Sequence, residues 1–177
     1  MPAGLRRFFV LAFSALLLMW LGAQANQMLT RFGIGIWLGG LVVAFPALRA
    51  GLREGLAFAF VAGLCFDAVA PVPFGMHAAM FAVVHTLIFH LRQRLPCAEL
   101  LVGVAAAMFA NLSFMLMLGI AHTGDWPDPA AGWLRWFTDL ILSQLVIVLV
   151  TPWYFSFQLH TLEFFDACWR EQPRGLR

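Results

Sequence analysis

Lysine is absent from this chain. All eleven basic residues are arginine and the formal net charge is only +2, so there is no basic surface able to hold a nucleic acid backbone. Charge of either sign is scarce: 11% of the residues are charged and 62% are hydrophobic, which lies outside the range of soluble domains. Cysteines are few, and Cys65, Cys97 and Cys168 stand far apart without a C-x-x-C spacing. That excludes a disulfide framework and gives no zinc signature, so they read as buried or lipid-facing thiols. A nucleophile motif, a phosphate loop and a cofactor fingerprint are missing too; no catalytic set, cofactor or metal is expected. Long polar connections are also lacking, which leaves no room for a soluble domain.

Hydrophobic length takes their place. A bilayer core about 30 Å thick takes ~20 apolar residues of helix, and six stretches approach that length: 8–25, 32–48, 52–69, 75–91, 98–121 and 137–158. Short connections force such helices into a compact antiparallel bundle. Residues 1–177 are thus predicted to form a single transmembrane domain, an all-α integral membrane bundle of six transmembrane helices. An alternative exists at the start, where Arg6, Arg7, the apolar run Phe8 to Leu21 and Ala23-Gln24-Ala25 imitate a cleavable secretory leader. Cleavage near residue 25 would remove the first span.

The arginines orient the bundle. With a cytoplasmic N-terminus, Arg6, Arg7, Arg49, Arg53, Arg92, Arg94, Arg170, Arg174 and Arg177 fall inside and only Arg31 and Arg135 outside. Both termini are therefore expected inside. Residues 122–136, with Asp125, Asp128, Trp126, Trp133 and Trp136, suit an interfacial loop on the opposite side. Near the end, Leu159, Leu162, Phe165 and Trp169 recur about once per turn between Glu163, Asp166 and Arg170. This suits either a helix lying along the inner surface or a frayed, solvated tail.

In the third span, Gly51, Gly55, Ala59, Gly63 and Asp67 fall at intervals of four. Four residues turn a helix through about 400°, so this ridge of small side chains drifts slowly round the axis and favours a close, inclined helix crossing. The fifth span echoes it with Gly103, Ala107 and Asn111, and the second offers Gly35 and Gly39. Asp67 ends the ridge near the outer surface, where a charge costs less than the ~2.5–3.5 kcal/mol of a bilayer centre. Pro71 and Pro73 cannot continue a helix and Gly75 frees the backbone, so residues 70–75 must turn tightly. The hairpin puts Asp67 and His77 at similar depth. Asp67 is expected to accept hydrogen bonds from backbone groups of the turn or from His77, fixing the angle between the two helices.

Catalysis by Asp67 is the weaker alternative, because general acid and base chemistry needs a second titratable group and only His77 is near. A proton or ion pathway would place several ionisable groups at mid-depth, whereas the sequence offers His85 and Asn111. Both suit interhelical hydrogen bonds. His85 and His90 are five apart and do not share a face as a metal pair at i and i+4 would.

The spacing from Gly63 to Asp67 and on to Gly75, within a hairpin of two hydrophobic spans, resembles the signature region of the MreD family of bacterial rod shape-determining proteins. Pro46 before Arg49, and Pro152 late in the final span, are similar to that family's plan as well. The resemblance covers most of the chain, although only Gly63, Asp67 and Gly75 carry over as specific positions. It implies a multi-pass protein of the bacterial inner (cytoplasmic) membrane and a non-enzymatic scaffold of the cell-elongation machinery. It also implies partnership with MreC and, through it, with MreB, RodA and the penicillin-binding synthase of peptidoglycan, in contact with membrane lipid.

Six short spans also resemble the substrate-binding subunits of energy-coupling-factor vitamin transporters, whose fold is similar to that of the MreD family. The A-x-x-x-A docking pattern common in the first span of such subunits is missing from FFVLAFSALLLMWLGAQA. Asp67, His77, Asp125 and Asp128 would be the polar groups at the mouth of such a binder.

Overall fold

Helix signals dominate the computed structural model, which describes residues 3–70, 73–94, 100–122, 124 and 127–170, with side chains from 8 to 165 within those ranges except at 122. Among the described residues there are six α-helices and no strand: α1 Ala3–Leu29, α2 Gly39–Arg49, α3 Leu52–Asp67, α4 Met76–Leu91, α5 Leu100–His122 and α6 Pro129–Arg170. Three of them, α1, α5 and α6, are long and apolar enough to cross a membrane. The chain is a helical membrane protein. α3 and α4 have 16 residues each, about 24 Å of helix, and form the tightest pair in the bundle. Pro71, Cys97, Asp125, Trp126, Arg174 and Arg177 lie outside the described residues, as do the side chains of Arg6, Arg7, Asp166, Cys168, Trp169 and Arg170.

Around α2 the other helices close a ring in the order α1, α3, α4, α5, α6, each touching the next and all touching α2. Every residue of α2 from Gly39 to Leu48 is buried, as expected of a helix that is apolar all round. The ring helices bury one face against it and turn Phe13, Phe60, Val83, Leu101, Leu134 and Leu149 outward. Exposed apolar side chains of this kind suit hydrocarbon as solvent.

The second span departs from the helix expected over 32–48. A 3₁₀ turn at Thr30–Phe32 ends at Gly33, whose φ of +69° only glycine adopts without strain, and residues 34–38 then run without helix before α2 begins. Five non-helical residues at no more than ~3.3 Å each and a helix of eleven at ~1.5 Å per residue reach at most about 33 Å. Unwound backbone packed among apolar helices persists only where protein groups satisfy it. Here they do. Asn26 brackets Ile36, accepting from its N at 2.7 Å and donating to its O at 2.8 Å. Asp139 Oδ1 accepts from Gly35 N at 2.8 Å, and Ser143 Oγ accepts from Trp37 N at 2.9 Å.

Two further boundaries differ from expectation. Residues 129–136 are the first turns of α6 and not a loop: Asp128 Oδ1 accepts from Ala130 N and Ala131 N, and Pro129 takes the first helical position, a favoured N-terminal pairing. Trp133 and Trp136 therefore sit on a helix, with Trp136 Nε1 donating to Met115 O of α5 at 3.0 Å. At the opposite end α6 continues unbroken to Arg170.

Glycine sets the closest approaches. A Cβ at Gly40 would lie 2.6 Å from Ala107 O and 2.7 Å from Asn111 Cβ, so α2 and α5 meet backbone to backbone. At the α2 C-terminus, Arg92 of the α4 end donates to Ala47 O and Ala50 O at 3.1 and 2.8 Å and covers the Phe89 ring. A cation is thereby held against the negative end of the α2 dipole.

Candidate interaction site at the Asp67 hairpin

Asp67 is the last residue of α3, and α4 begins nine residues later. Gly75, at the N-cap of α4, has φ of +97° and no side chain with which to cap the helix. The Asp67 carboxylate does the capping from across the turn. Its Oδ2 accepts from Gly75 N at 2.9 Å and Ala78 N at 3.3 Å, and its Oδ1 accepts from His77 N at 2.9 Å. Those amides are among the orphan donors of a helix N-terminus, where the dipole also favours negative charge. The His77 ring adds a fourth contact, Nδ1 to Oδ1 at 2.8 Å; an ionised carboxylate only accepts, so Nδ1 carries the proton. Asp67 and His77 are both buried.

Below the carboxylate the small-residue ridge runs into α4. A Cβ at Gly63 would fall on Ala78 Cα and 2.6 Å from Ala78 N, and a Cβ at Gly55 would fall on the His85 ring, 2.7 Å from Nε2. Ala59, between them, is fully buried. Gly51 does not belong to this seam: it is the N-cap of α3 and a Cβ there would meet nothing within 4 Å. Gly75 likewise has open space, so its requirement is conformational. Gly35, expected in a helix seam, lies in the unwound segment.

Aromatic rings tie the hairpin to the rest of the bundle. Trp37 stacks on His77 at 5.2 Å with 27° between planes and lies 5.1 Å from Phe66; Phe66 lies 5.2 Å from Phe81, which packs at 4.7 Å on Phe114 of α5. The residues that hold the unwound segment, Asn26, Asp139 and Ser143, join the same end of the molecule through Trp37. Sequence reasoning missed these three. Asp139 had a readable signal, a carboxylate just inside an apolar run, whereas Asn26 and Ser143 have none beyond being polar.

His85 and Asn111 depart from the interhelical bonding expected of them. Both ring nitrogens of His85, and both amide atoms of Asn111, are buried without a hydrogen-bond partner among the described residues. Asp128 caps α6 and takes no part in the hairpin. An open cavity of about 470 Å³ lies along the first turns of α6, bordered by Asp128, Arg135, Trp136 and Asp139.

Chemically, the hairpin is suited to holding a shape. Among the described residues, all four contacts on the Asp67 carboxylate come from the N-terminus of the helix it caps, so taking up a proton in catalysis would weaken the cap of α4. Among the described residues no three His, Cys, Asp or Glu side chains gather as metal ligands would. Comparison with family models, with curated proteins and with solved structures found no match to this chain.

Proposed function

We propose that this protein is a non-enzymatic, six-span scaffold of the MreD kind in the bacterial inner membrane, which maintains rod shape by linking peptidoglycan synthesis to the MreB and MreC complex. The observation that carries this reading is the commitment of the Asp67 carboxylate to four donors of its own hairpin, at the Gly63, Asp67 and Gly75 positions that resemble the MreD signature. A buried charge spent on geometry makes a rigid corner, and rigid helix pairs suit recognition of other helices. MreC is the direct partner in this reading, with MreB, RodA and the penicillin-binding synthase reached through it. The test is affinity purification of the full chain from its native membranes: MreC should co-elute in stoichiometric amount, and its absence from an otherwise folded sample would sink the assignment.

A second reading has its own support. The 470 Å³ cavity with Asp128, Arg135, Trp136 and Asp139 on its border has the size and mixed polarity of a small-molecule site, as a substrate-binding subunit of an energy-coupling-factor transporter would need. A vitamin retained at one per chain in the same purification, without MreC, would favour it.

A further inference from the structure

Two cavities follow one another along the seam between α1 and α3. One, of about 130 Å³, is lined by Ala12, Ala15 and Met19 of α1 and Phe58, Ala62 and Cys65 of α3, among other apolar residues. The other, of about 170 Å³, continues from Met19 past Gly22 to Asn26, with Trp37, Phe66 and Val69 opposite. Their α1 residues recur at three- and four-residue spacing from 12 to 26, so they mark one helix face about 21 Å long. Small side chains, Ala12 and Ala15 on α1 and Ala62 on α3, line the groove beside the larger Met19 and Phe58. Its rim is lipid-facing, with Leu16 and Val61 exposed.

Three occupants are conceivable, and size and chemistry separate them. Water has no polar partner in the part lined by Phe58 and Ala62, and apolar cavities stay dry. A partner helix is too large: one turn, ~10 Å wide and 5.4 Å long, fills roughly 400 Å³, more than either cavity. A hydrocarbon chain is thin enough to lie in both cavities along part of its length, and the groove exceeds the ~15 Å half-thickness of a bilayer core. At the Asp67 end the lining also includes a polar residue, Asn26, beside the apolar rings of Trp37 and Phe66. We propose that the α1–α3 groove binds one acyl chain of a bilayer phospholipid, tail toward Phe58 and ester region toward Trp37. This site is independent of the scaffold reading above.

The test uses the full chain reconstituted in palmitoyl-oleoyl phosphatidylglycerol, extracted into mild detergent and weighed by native mass spectrometry. One phospholipid per chain should survive activation that strips all others. Val61→Trp, which fills the rim of the groove, should lower that occupancy at least fivefold, and Val83→Trp, on the outer face of α4, should leave it unchanged. Loss of the adduct from the wild type, a retained mass equal to a free fatty acid, or equal occupancy in the two variants would overturn the proposal. A second measurement needs no variant: N-ethylmaleimide should modify Cys65 several-fold faster in delipidated protein than in the lipid-loaded form, and equal rates at that cysteine would also overturn it.

Discussion

Removing the Asp67 carboxylate should loosen the hairpin by an amount that the structure allows to be bracketed. In Asp67→Ala, the backbone N–H groups of Gly75, His77 and Ala78 and the Nδ1 of His77 all lose their acceptor. Hydrogen bonds to a charged group are worth about 1.5–3 kcal/mol each and an orphaned buried donor costs about 1–3 kcal/mol, but such terms do not add. Interhelical hydrogen bonds measured inside membranes average only about 0.6 kcal/mol, and four at that value set a floor near 2 kcal/mol. The expected loss is therefore about 2–5 kcal/mol, at the upper end of single-residue effects. Asp67→Asn should cost less, about 1–3 kcal/mol, because one oxygen remains to accept while the new NH₂ faces other donors. Reversible unfolding in mixed micelles, followed by helix signal, measures both. Asp67→Ala within 1 kcal/mol of wild type would refute the capping argument, and wild-type assembly by Asp67→Asn would show that the charge itself does not matter.

Other substitutions separate close approach from backbone conformation. Gly63→Leu would drive a side chain into the Ala78 backbone and should cost at least 3 kcal/mol and reduce complex formation in membrane pull-downs. Phe60→Leu, on the exposed face of α3, should change both by little, and equal effects would count against a specific seam. Gly75→Ala should lose about 1–2 kcal/mol in unfolding experiments, because the residue holds φ of +97°; Gly51→Ala, at φ of −69° with open space, should stay within about 0.5 kcal/mol. Asp139→Ala removes the acceptor for Gly35 N and should speed amide exchange at Gly35 at least tenfold without altering exchange in α3.

The α3–α4 hairpin could be read from the chain because its determinants are local. Gly55, Ala59, Gly63 and Asp67 recur at fixed spacing, the partner donors lie within eleven positions of Asp67, and Pro73 and Gly75 mark the turn. The unwound segment was hidden for the opposite reason. Its residues are as apolar as a helix, so hydropathy cannot tell the two apart, and the groups that make it tolerable lie elsewhere: Asn26 ten residues before Ile36, and Asp139 104 residues after Gly35. The early start of α6 was readable in principle, since Asp128-Pro129 is a cap followed by a first-turn proline, but the tryptophans beyond it suggested an interfacial loop. The Gly40 crossing was displaced by one position in sequence reasoning, which took Gly39; only the structure shows that Gly39 lies under the Trp37 indole and Gly40 faces α5.

Amide hydrogen exchange at Gly75, His77 and Ala78 in the full chain, compared with the same amides in Asp67→Ala, is the most direct test. If the carboxylate of one helix caps the next, these three amides should be among the slow exchangers of the wild type and accelerate at least a hundredfold in the variant. Fast exchange in the wild type, or equal protection in the two proteins, would contradict the account.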